Sequence, residues 1–365
     1  MAKPPHSDAK SRAPETKAVA SVARCTDYWY VACESTELKH KPMAATILGI
    51  PLVLFRNERG EAGALLDRCP HRNIPLSEGE VEGSVLRCAY HGWEFNTRGH
   101  CLLIPGLKGE SNTKGHAATA YPVREQDGYV WVYTNAEKEP ECEPFKIPHY
   151  GDDRYTHVRQ MVEAPGTLHA TIENALDVPH TSFLHKGLFR GTGKRNDIEV
   201  VVKRWADRVE AEYIGEPAPR GIAARIAAPS GGEVIHFDRF LMPSIAQVEY
   251  ELGDGDSHFV INSLCTPIED FKTRIYAHIS FRLGKVPGWI VRPVLDPIGK
   301  KIFAQDAEVL AKQTELIGRF GGEQYSSTEI DVLGPHIWRL LRAGERGEAR
   351  PNDEPPVEKR FEMNV

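Results

Sequence analysis

The first third of the chain consists of short apolar runs separated by turn residues. Runs of this length and spacing predict the strands of an antiparallel sheet, joined by hairpin turns. The predicted strands are residues 28–32, 45–48, 51–56, 64–67, 85–88 and 129–133. A segment at 136–148, rich in glutamate and broken by prolines, then leads out of this predicted sheet domain.

The rest of the chain mixes helical and strand patterns. Helical periodicity predicts one helix around 167–184 and a long helix at about 300–319, with strands between them. The predicted strands are residues 198–204, 208–213, 244–252, 258–266 and 273–283. Helices packed on a curved antiparallel sheet form an α+β domain of the helix-grip type, which could enclose a ligand.

These patterns divide the chain into four predicted parts. They are a flexible N-terminal arm at 1–24, an antiparallel β domain at 25–145, an α+β domain at 146–345 and a polar tail at 346–365. The arm is rich in alanine, lysine, proline and serine, and the tail mixes acidic and basic residues. Neither composition predicts a buried core. The remaining length is sufficient for two domains with sizeable cores.

Charge and cysteine content narrow the class of protein. A formal net charge of -6 argues against a nucleic-acid partner, which requires a basic surface. The apolar stretch at 286–303 contains Arg292, Pro293, Asp296 and Pro297, so we predict no membrane span. Seven scattered cysteines without a secretory pattern predict a cytoplasmic protein that lacks a disulfide framework.

Two short clusters in the predicted β domain carry residues that bind metals. Cys69 is followed by His71 and Cys88 by His91, and sixteen residues separate His71 from Cys88. Structural zinc sites usually place both cysteines in one cluster and both histidines in another. Mixed clusters instead suit a [2Fe-2S] centre in which one iron binds two cysteines and the other two histidines. Zinc binding and a purely structural role remain alternatives.

The residues around the two clusters point to the same centre. Residues 69–72 and 88–93 closely resemble the two cluster loops of Rieske proteins. Two positions depart from that pattern, because Rieske oxygenases commonly have proline where this chain has Ala89 and glycine where it has Asn73. Neither departure affects a proposed ligand.

A second group of candidate ligands lies in the predicted helix at 167–184. Asp177 and His180 share one face of a helix, whereas His185 is five residues further on, about 140° around the axis. The helix must therefore bend or end between the histidines if both bind one metal, and Pro179 gives a reason for distortion. Two imidazoles would need a carboxylate as third ligand.

The long predicted helix offers this carboxylate. Asp306 falls within an apolar stripe at helical spacing, whereas Glu308 falls outside it. A carboxylate on a buried face is costly unless it is paired or binds a metal. An Asp306 held by a buried arginine or by backbone amides remains the alternative.

The combined set resembles the motifs of Rieske non-heme iron oxygenases, in the terminal oxygenase (alpha) subunit of the aromatic ring-hydroxylating type. The resemblance extends from about residue 28 to residue 341. It implies a Rieske [2Fe-2S] cluster and an Fe(II) ion, the latter held by His180, His185 and Asp306. The residues implied for the cluster are Cys69, His71, Cys88 and His91.

The resemblance also implies an assembly. Members of this family form head-to-tail homotrimers in which the cluster of one subunit supplies electrons to the iron of its neighbour. Asp177 would then link His91 to the iron ligand His180 across the interface. Asn174 would lie near the iron without an assigned role as ligand.

We therefore expect an enzyme that activates O2 at Fe(II) and hydroxylates a largely apolar, aromatic or polycyclic substrate. Many apolar residues in the strands at 198–283 support such a substrate. The chain has no glycine-rich dinucleotide fingerprint, so a ferredoxin or flavin reductase must supply electrons from NAD(P)H. Oxidative O- or N-demethylation and desaturation are alternatives within this class. A Rieske electron carrier is a further alternative outside it.

Overall fold

The computed structural model describes residues 19–107, 115–185, 197–216, 233–253, 255, 257–284 and 286–364. Within these residues the chain forms three small antiparallel sheets, one large antiparallel sheet and four α-helices. The predicted α+β class, with an N-terminal β domain before a sheet covered by helices, is confirmed.

The N-terminal half contains eleven short strands. They are β1 (Trp29–Glu34), β2 (Met43–Ile47), β3 (Ile50–Arg56), β4 (Ala62–Leu66), β5 (Glu80–Glu82), β6 (Val85–Arg87), β7 (Glu94–Phe95), β8 (Cys101–Leu103), β9 (Ala120–Tyr121), β10 (Val123–Gln126) and β11 (Tyr129–Tyr133). The strand orders are β1-β11-β10, β2-β3-β4-β9 and β5-β6-β7-β8. Leu48 and Gly49 both have positive φ in the turn between β2 and β3, as a tight hairpin requires.

The large sheet has eight antiparallel strands. They are β12 (Thr156–Ala164), β13 (Asp197–Arg204), β14 (Arg208–Ile214), β15 (Val234–Leu241), β16 (Ile245–Leu252), β17 (Ser257–Glu269), β18 (Lys272–Leu283) and β19 (Val357–Asn364). Their order is β12-β18-β17-β16-β15-β14-β13-β19. The polar tail predicted at 346–365 therefore needs a correction, because most of its C-terminal part is an edge strand beside β13.

The helices are α1 (Leu168–Ala175), α2 (Thr181–Leu184), α3 (Gly288–Phe320) and α4 (Gly334–Glu345). The single helix predicted at 167–184 is thus two helices with a break between them. The long helix α3 begins well before the predicted residue 300 and includes Pro293 and Pro297. None of the helices in the described ranges is long and apolar enough to cross a membrane.

The predicted N-terminal arm also needs a correction. Residues 1–18 lie outside the described residues. The rest of the arm is packed, since Val22 is 3% exposed and contacts Ile317 of α3. The hydroxyl of Ser21 donates a hydrogen bond of 2.8 Å to Glu323. A buried apolar residue and a part-buried hydrogen bond therefore hold residues that composition alone predicts to be loose.

The two halves share a continuous core. Tyr276 of β18 donates a hydrogen bond to the carbonyl of Ala32, and Thr266 of β17 donates one to the carbonyl of Val31. These bonds join one face of the large sheet to β1. On the opposite face, buried residues of the sheet pack with α1 and α4, and α3 packs along β12. The helices that carry the second group of candidate ligands therefore cover this inner face.

Candidate metal centres

The two loops of the first centre have the same backbone geometry. One follows β4 and begins at Cys69, and the other joins β6 to β7 and begins at Cys88. In each loop the cysteine amide donates to the carbonyl five residues later, at 2.8 and 2.9 Å. The amide four residues later donates back to the cysteine carbonyl, at 2.9 and 3.0 Å. Those donors, Asn73 and Gly92, have φ of 62° and 68°.

Cysteines and histidines lie at different depths in this centre. Cys69 and Cys88 are buried, whereas His91 is exposed and His71 is half-buried. The rings of His71 and His91 are 4.5 Å apart, and Trp93 stacks on His71 at 4.7 Å. Two thiols inside and two imidazoles outside match the division of ligands between the two irons of a Rieske centre.

The protonation of these side chains also suits a cluster. Burial, together with the neighbouring thiol of Cys88, raises the pKa of Cys69 to about 11, against the lowering effect of a backbone hydrogen bond. A coordinated iron would stabilise the thiolates that this environment otherwise disfavours. The Nδ1 atom of His71 is buried and has no hydrogen-bond partner among the described residues. These four side chains therefore fit a [2Fe-2S] group.

Three ligand atoms converge in the second centre. Nε2 of His185 lies 3.3 Å from Nε2 of His180 and 3.0 Å from Oδ1 of Asp306. Nε2 of His180 lies 3.6 Å from the same carboxylate oxygen. Two ligands at right angles on a metal, with bonds of roughly 2.1 Å, are about 3 Å apart. The geometry thus fits a facial triad of two histidines and one carboxylate.

The break in the helix explains how ligands five residues apart meet. α1 ends at Ala175, and His180 and His185 flank the single turn of α2. His185 leaves the helical conformation, with φ of -103° and ψ of 41°. The helix therefore ends between the two histidines, as the spacing requires, and a second break precedes His180 near Pro179.

The acceptors around the two imidazoles favour a cation between them. Nδ1 of His180 faces the backbone carbonyl of Asp177, with the carboxylate of Asp177 at 3.3 Å. Nδ1 of His185 lies 3.0 Å from Oε1 of Gln305. With a proton on each Nδ1, both Nε2 lone pairs point toward Oδ1 of Asp306, a buried oxygen that has no other donor among the described residues. A divalent metal would satisfy all three atoms at once.

The electrostatics of the second centre also favour a bound cation. Burial lowers the pKa of His180, but hydrogen bonds to Asp177 and Asp306 and their charges outweigh burial and raise this pKa to about 9. The side chains of Asp177 and Asp306 are 33% and 15% exposed. Positive charge is therefore favoured at this position, and a divalent cation would supply it.

Asn174 and Glu308, which the sequence places near the candidate ligands, lie outside the group of three ligand atoms. Asn174 lies in the last turn of α1, and its carbonyl accepts a hydrogen bond of 3.4 Å from the amide of Asp177. Glu308 is exposed and forms an ion pair of 2.6 Å with Lys312, outside the ligand group. Within the described ranges, no arginine forms an ion pair with Asp306. Gln305, which contacts His185, belongs to no metal-binding motif in the sequence.

Comparison with known proteins assigns both halves of the chain. Residues 28–122 match the family model of the Rieske [2Fe-2S] domain. Residues 166–345 match that of the vanillate O-demethylase oxygenase C-terminal domain. A Rieske domain followed by such a catalytic domain defines the class of terminal oxygenases. The chain belongs to the Rieske non-heme iron oxygenases, and the predicted family and its cofactors, a [2Fe-2S] cluster and a non-heme iron, are confirmed.

The relatives that match the chain include oxygenase subunits named for different reactions. The 3-chlorobenzoate-3,4-dioxygenase oxygenase subunit of Comamonas testosteroni is 31% identical over 60% of this chain and 50% of its own length. The vanillate O-demethylase oxygenase subunit of a Pseudomonas species is 25% identical over 86% of this chain and 92% of its own. The chain spans about half the length of several curated relatives, including that dioxygenase subunit.

Solved structures show the same fold. The crystal structure of dicamba monooxygenase bound to dicamba has a TM-score of 0.73, with 22% sequence identity. The match covers 90% of this chain and 99% of that one. At this level of identity the likeness concerns the fold, and the assignment of ligands depends on the geometry described above.

Proposed function

We propose that this protein is a terminal oxygenase that activates O2 at Fe(II) and oxidises a largely apolar organic substrate. The observation that carries the proposal is the convergence of His180, His185 and Asp306 in a chain that also has a Rieske domain. Bound iron would supply the position for O2 and, with the cluster, the electrons for its activation. The proposed cluster ligands are Cys69, His71, Cys88 and His91.

The side chains around the iron position have separate tasks in this proposal. His185 and Asp306 would hold the iron from the more buried side, and His180, with 21% of its side chain exposed, would complete the triad. Three protein ligands would leave other coordination positions of the iron for O2. Asn174, in the adjacent turn of α1, is proposed to lie near the iron.

Asp177 is proposed to bridge the path of electron transfer between subunits. Its carboxylate contacts Nδ1 of His180, and a third of the side chain is exposed. His91 is exposed on the Rieske domain. In a head-to-tail homotrimer, Asp177 would hydrogen-bond to His91 of the partner subunit and so connect the cluster to the iron. A ferredoxin or flavin reductase using NAD(P)H is the proposed electron donor.

An apolar substrate is consistent with the inner face of the large sheet. Phe240, Val248, Phe259 and Ile261 share that face by register, whereas Phe237 and its neighbours in alternation point away. These side chains would contact the body of the substrate, and core packing also accounts for several of them.

The same face also carries buried polar groups that are paired with one another. His236 stacks between Tyr213 and Tyr250, its Nε2 atom lies 3.1 Å from the carboxylate of Asp238, and its Nδ1 atom lies 3.0 Å from that of Glu216. The basic residues on neighbouring strands, Arg239, Lys272 and Arg274, all form ion pairs with glutamates. We therefore propose a largely apolar substrate rather than a small carboxylate.

Oxidative demethylation is a second candidate reaction. The match of residues 166–345 to the vanillate O-demethylase oxygenase C-terminal domain favours it. The same iron site would oxidise a methyl C–H bond next to oxygen or nitrogen if the pocket presented one. Hydroxylation and demethylation therefore differ in substrate placement, not in the ligands. The cytoplasmic location stays a prediction from the cysteine pattern.

Iron content and product analysis test the proposal. An oxygenase should contain about three irons per chain, whereas a Rieske electron carrier should contain about two. Anaerobically reduced protein would be screened with aromatic and polycyclic compounds for perturbation of the iron site, and products then formed under 18O2. We expect 18O in a hydroxylated product, and formaldehyde release for demethylation. Two irons per chain and no oxygen uptake would contradict an oxygenase.

A further inference from the structure

Two consecutive residues of α3, Gln305 and Asp306, contact the two ring nitrogens of His185. Its Nε2 atom lies 3.0 Å from Oδ1 of Asp306, and its Nδ1 atom lies 3.0 Å from Oε1 of Gln305. Only 1% of the His185 side chain is exposed. We propose that Gln305 is a positioning residue that orients His185 for metal binding, an inference that rests on the function proposed above.

The amide oxygen determines which ring nitrogen carries the proton. An amide oxygen accepts hydrogen bonds and cannot donate, so Gln305 favours the tautomer of His185 with its proton on Nδ1. The lone pair then lies on Nε2, which faces Asp306 and His180. The other tautomer would place a proton between Nε2 and Asp306, where the metal must bind. The contact with Gln305 and the metal therefore select the same tautomer.

The two histidines have acceptors of different charge. Nδ1 of His180 faces the carbonyl and the carboxylate of Asp177, so its partner is anionic. Nδ1 of His185 faces the neutral amide of Gln305. A carboxylate partner raises the basicity of a metal-bound imidazole, whereas an amide mainly orients it. Gln305 thus fixes His185 without adding negative charge to a site that already has two nearby carboxylates.

Metal affinity tests this role independently of turnover. The mononuclear metal would be removed from the holoprotein with the cluster left in place, and the site titrated anaerobically with Co(II), read by its visible absorption. Gln305→Leu keeps the size of the side chain without the acceptor, and we expect roughly 10–100-fold weaker binding. Gln305→Glu keeps the acceptor and should bind at least as tightly as the natural protein. Gln313→Leu, further along α3, is the matched control and should not change affinity.

The possible results separate this inference from the proposed function. Unchanged affinity in Gln305→Leu, or equal weakening in Gln305→Leu and Gln305→Glu, would overturn the positioning role. If His185→Ala binds Co(II) as tightly as the natural protein, the metal site itself is wrong and the proposed function fails. If Gln305→Leu does not fold, Gln305→Asn, which shortens the amide by one carbon, provides the same comparison with Gln305→Glu.

Discussion

Asn73 shows how the first cluster loop tolerates a departure from the family pattern. It has φ of 62° at the place where Gly92, with φ of 68°, stands in the second loop. Asparagine adopts this left-handed region more readily than most residues that have a Cβ atom. Its side-chain oxygen also accepts a hydrogen bond of 2.7 Å from Arg68. The loop geometry is therefore maintained without glycine.

Asn73→Val tests this explanation. A β-branched side chain in the left-handed region should destabilise the protein by about 1–2 kcal/mol, whereas Asn73→Gly should change stability by less than about 0.5 kcal/mol. Chemical unfolding would measure stability. The electron paramagnetic signal of the reduced cluster would show whether the loop still holds the cluster in the same geometry. A valine variant as stable as the natural protein would show that the loop adopts another backbone conformation.

Asp306→Asn tests the carboxylate of the proposed iron site. The change keeps the size of the side chain but removes the charge, so iron occupancy of the mononuclear site should fall by tenfold or more, by order of magnitude. Metal analysis would measure occupancy while the paramagnetic signal of the cluster stays unchanged. Glu308→Gln is the control, because Glu308 is exposed and paired with Lys312. Normal iron content in Asp306→Asn would contradict its role as a ligand.

Much of the site can be predicted from the sequence because metal binding requires particular residue types at short spacings. His180 and His185 lie five residues apart, and Asp306 stands out as an acid in an apolar stripe. Gln305 gives no such signal. Its contact with His185 spans 120 positions and depends on how α3 packs. Assignment of the seven ligands themselves stays a proposal until metal content is measured.

At the scale of elements, the three strands of the large sheet that the sequence did not predict are those in which polar residues replace the usual pattern. β12 places a glutamine at a buried position between Val158 and Ala164, and β19 is mostly exposed. β15 places His236 and Asp238 on the buried face, where apolar residues are normally expected. Strands with a regular apolar pattern, such as β13 and β18, agree with the sequence prediction within about two residues.

The early start of α3 depends on a close contact with β12. A Cβ atom added to Gly288 would lie 1.7 Å from the hydroxyl oxygen of Thr156 and 2.3 Å from its Cβ atom. Only glycine lets the first turn of the helix approach the strand so closely. The prolines further along this helix hide that start from a periodicity analysis, since proline usually predicts a boundary.

Gly288→Ala should therefore destabilise the protein, by about 1–3 kcal/mol, because helix and strand must move apart. Gly318→Ala in the same helix is the matched control, since an added Cβ atom would contact nothing within 4 Å. There the higher helix propensity of alanine should stabilise by up to about 1 kcal/mol. Thermal and chemical unfolding would measure both. Equal effects of the two changes would contradict a specific contact at Thr156.

At the scale of the molecule, a buried histidine lies where the two halves meet. His278 of β18 is fully buried, and its Nδ1 atom is 3.2 Å from the hydroxyl of Tyr129 in β11. Its Nε2 atom lies 3.1 Å from His157. Burial, then the nearby positive groups of His157 and Arg159, lowers the pKa of His278 to about 3. The folded protein therefore holds this imidazole neutral.

This depressed pKa makes stability depend on pH. Between the unfolded pKa of about 6.5 and the folded value near 3, the unfolded chain binds more protons, so stability falls as pH falls. The loss from pH 7 to pH 5 should be about 2 kcal/mol. Unfolding in urea at the two pH values would measure it, and His278→Gln should reduce the difference by that amount. If His278→Gln loses as much stability between pH 7 and pH 5 as the natural protein, groups other than His278 cause the pH dependence.

The fold class and domain order could be predicted from the sequence, because strand spacing and helical periodicity reflect which faces are buried. The assembly could not, since a trimer interface depends on surfaces that no local pattern marks. The implied trimer and the domain boundaries stay predictions. Sedimentation measurements of the holoprotein would test the trimer directly.

The four residues of α2 are too few to form a stable helix alone. His180 and His185 flank these four residues, so a metal bound by both histidines would fix the two ends of α2 relative to each other. Metal binding and local folding would then be thermodynamically linked, with a stabilisation that grows as RT ln(1 + [M]/Kd). Loss of the metal would then leave α2 less ordered. Iron would thus stabilise the local fold of α2 as well as serve as a centre for chemistry.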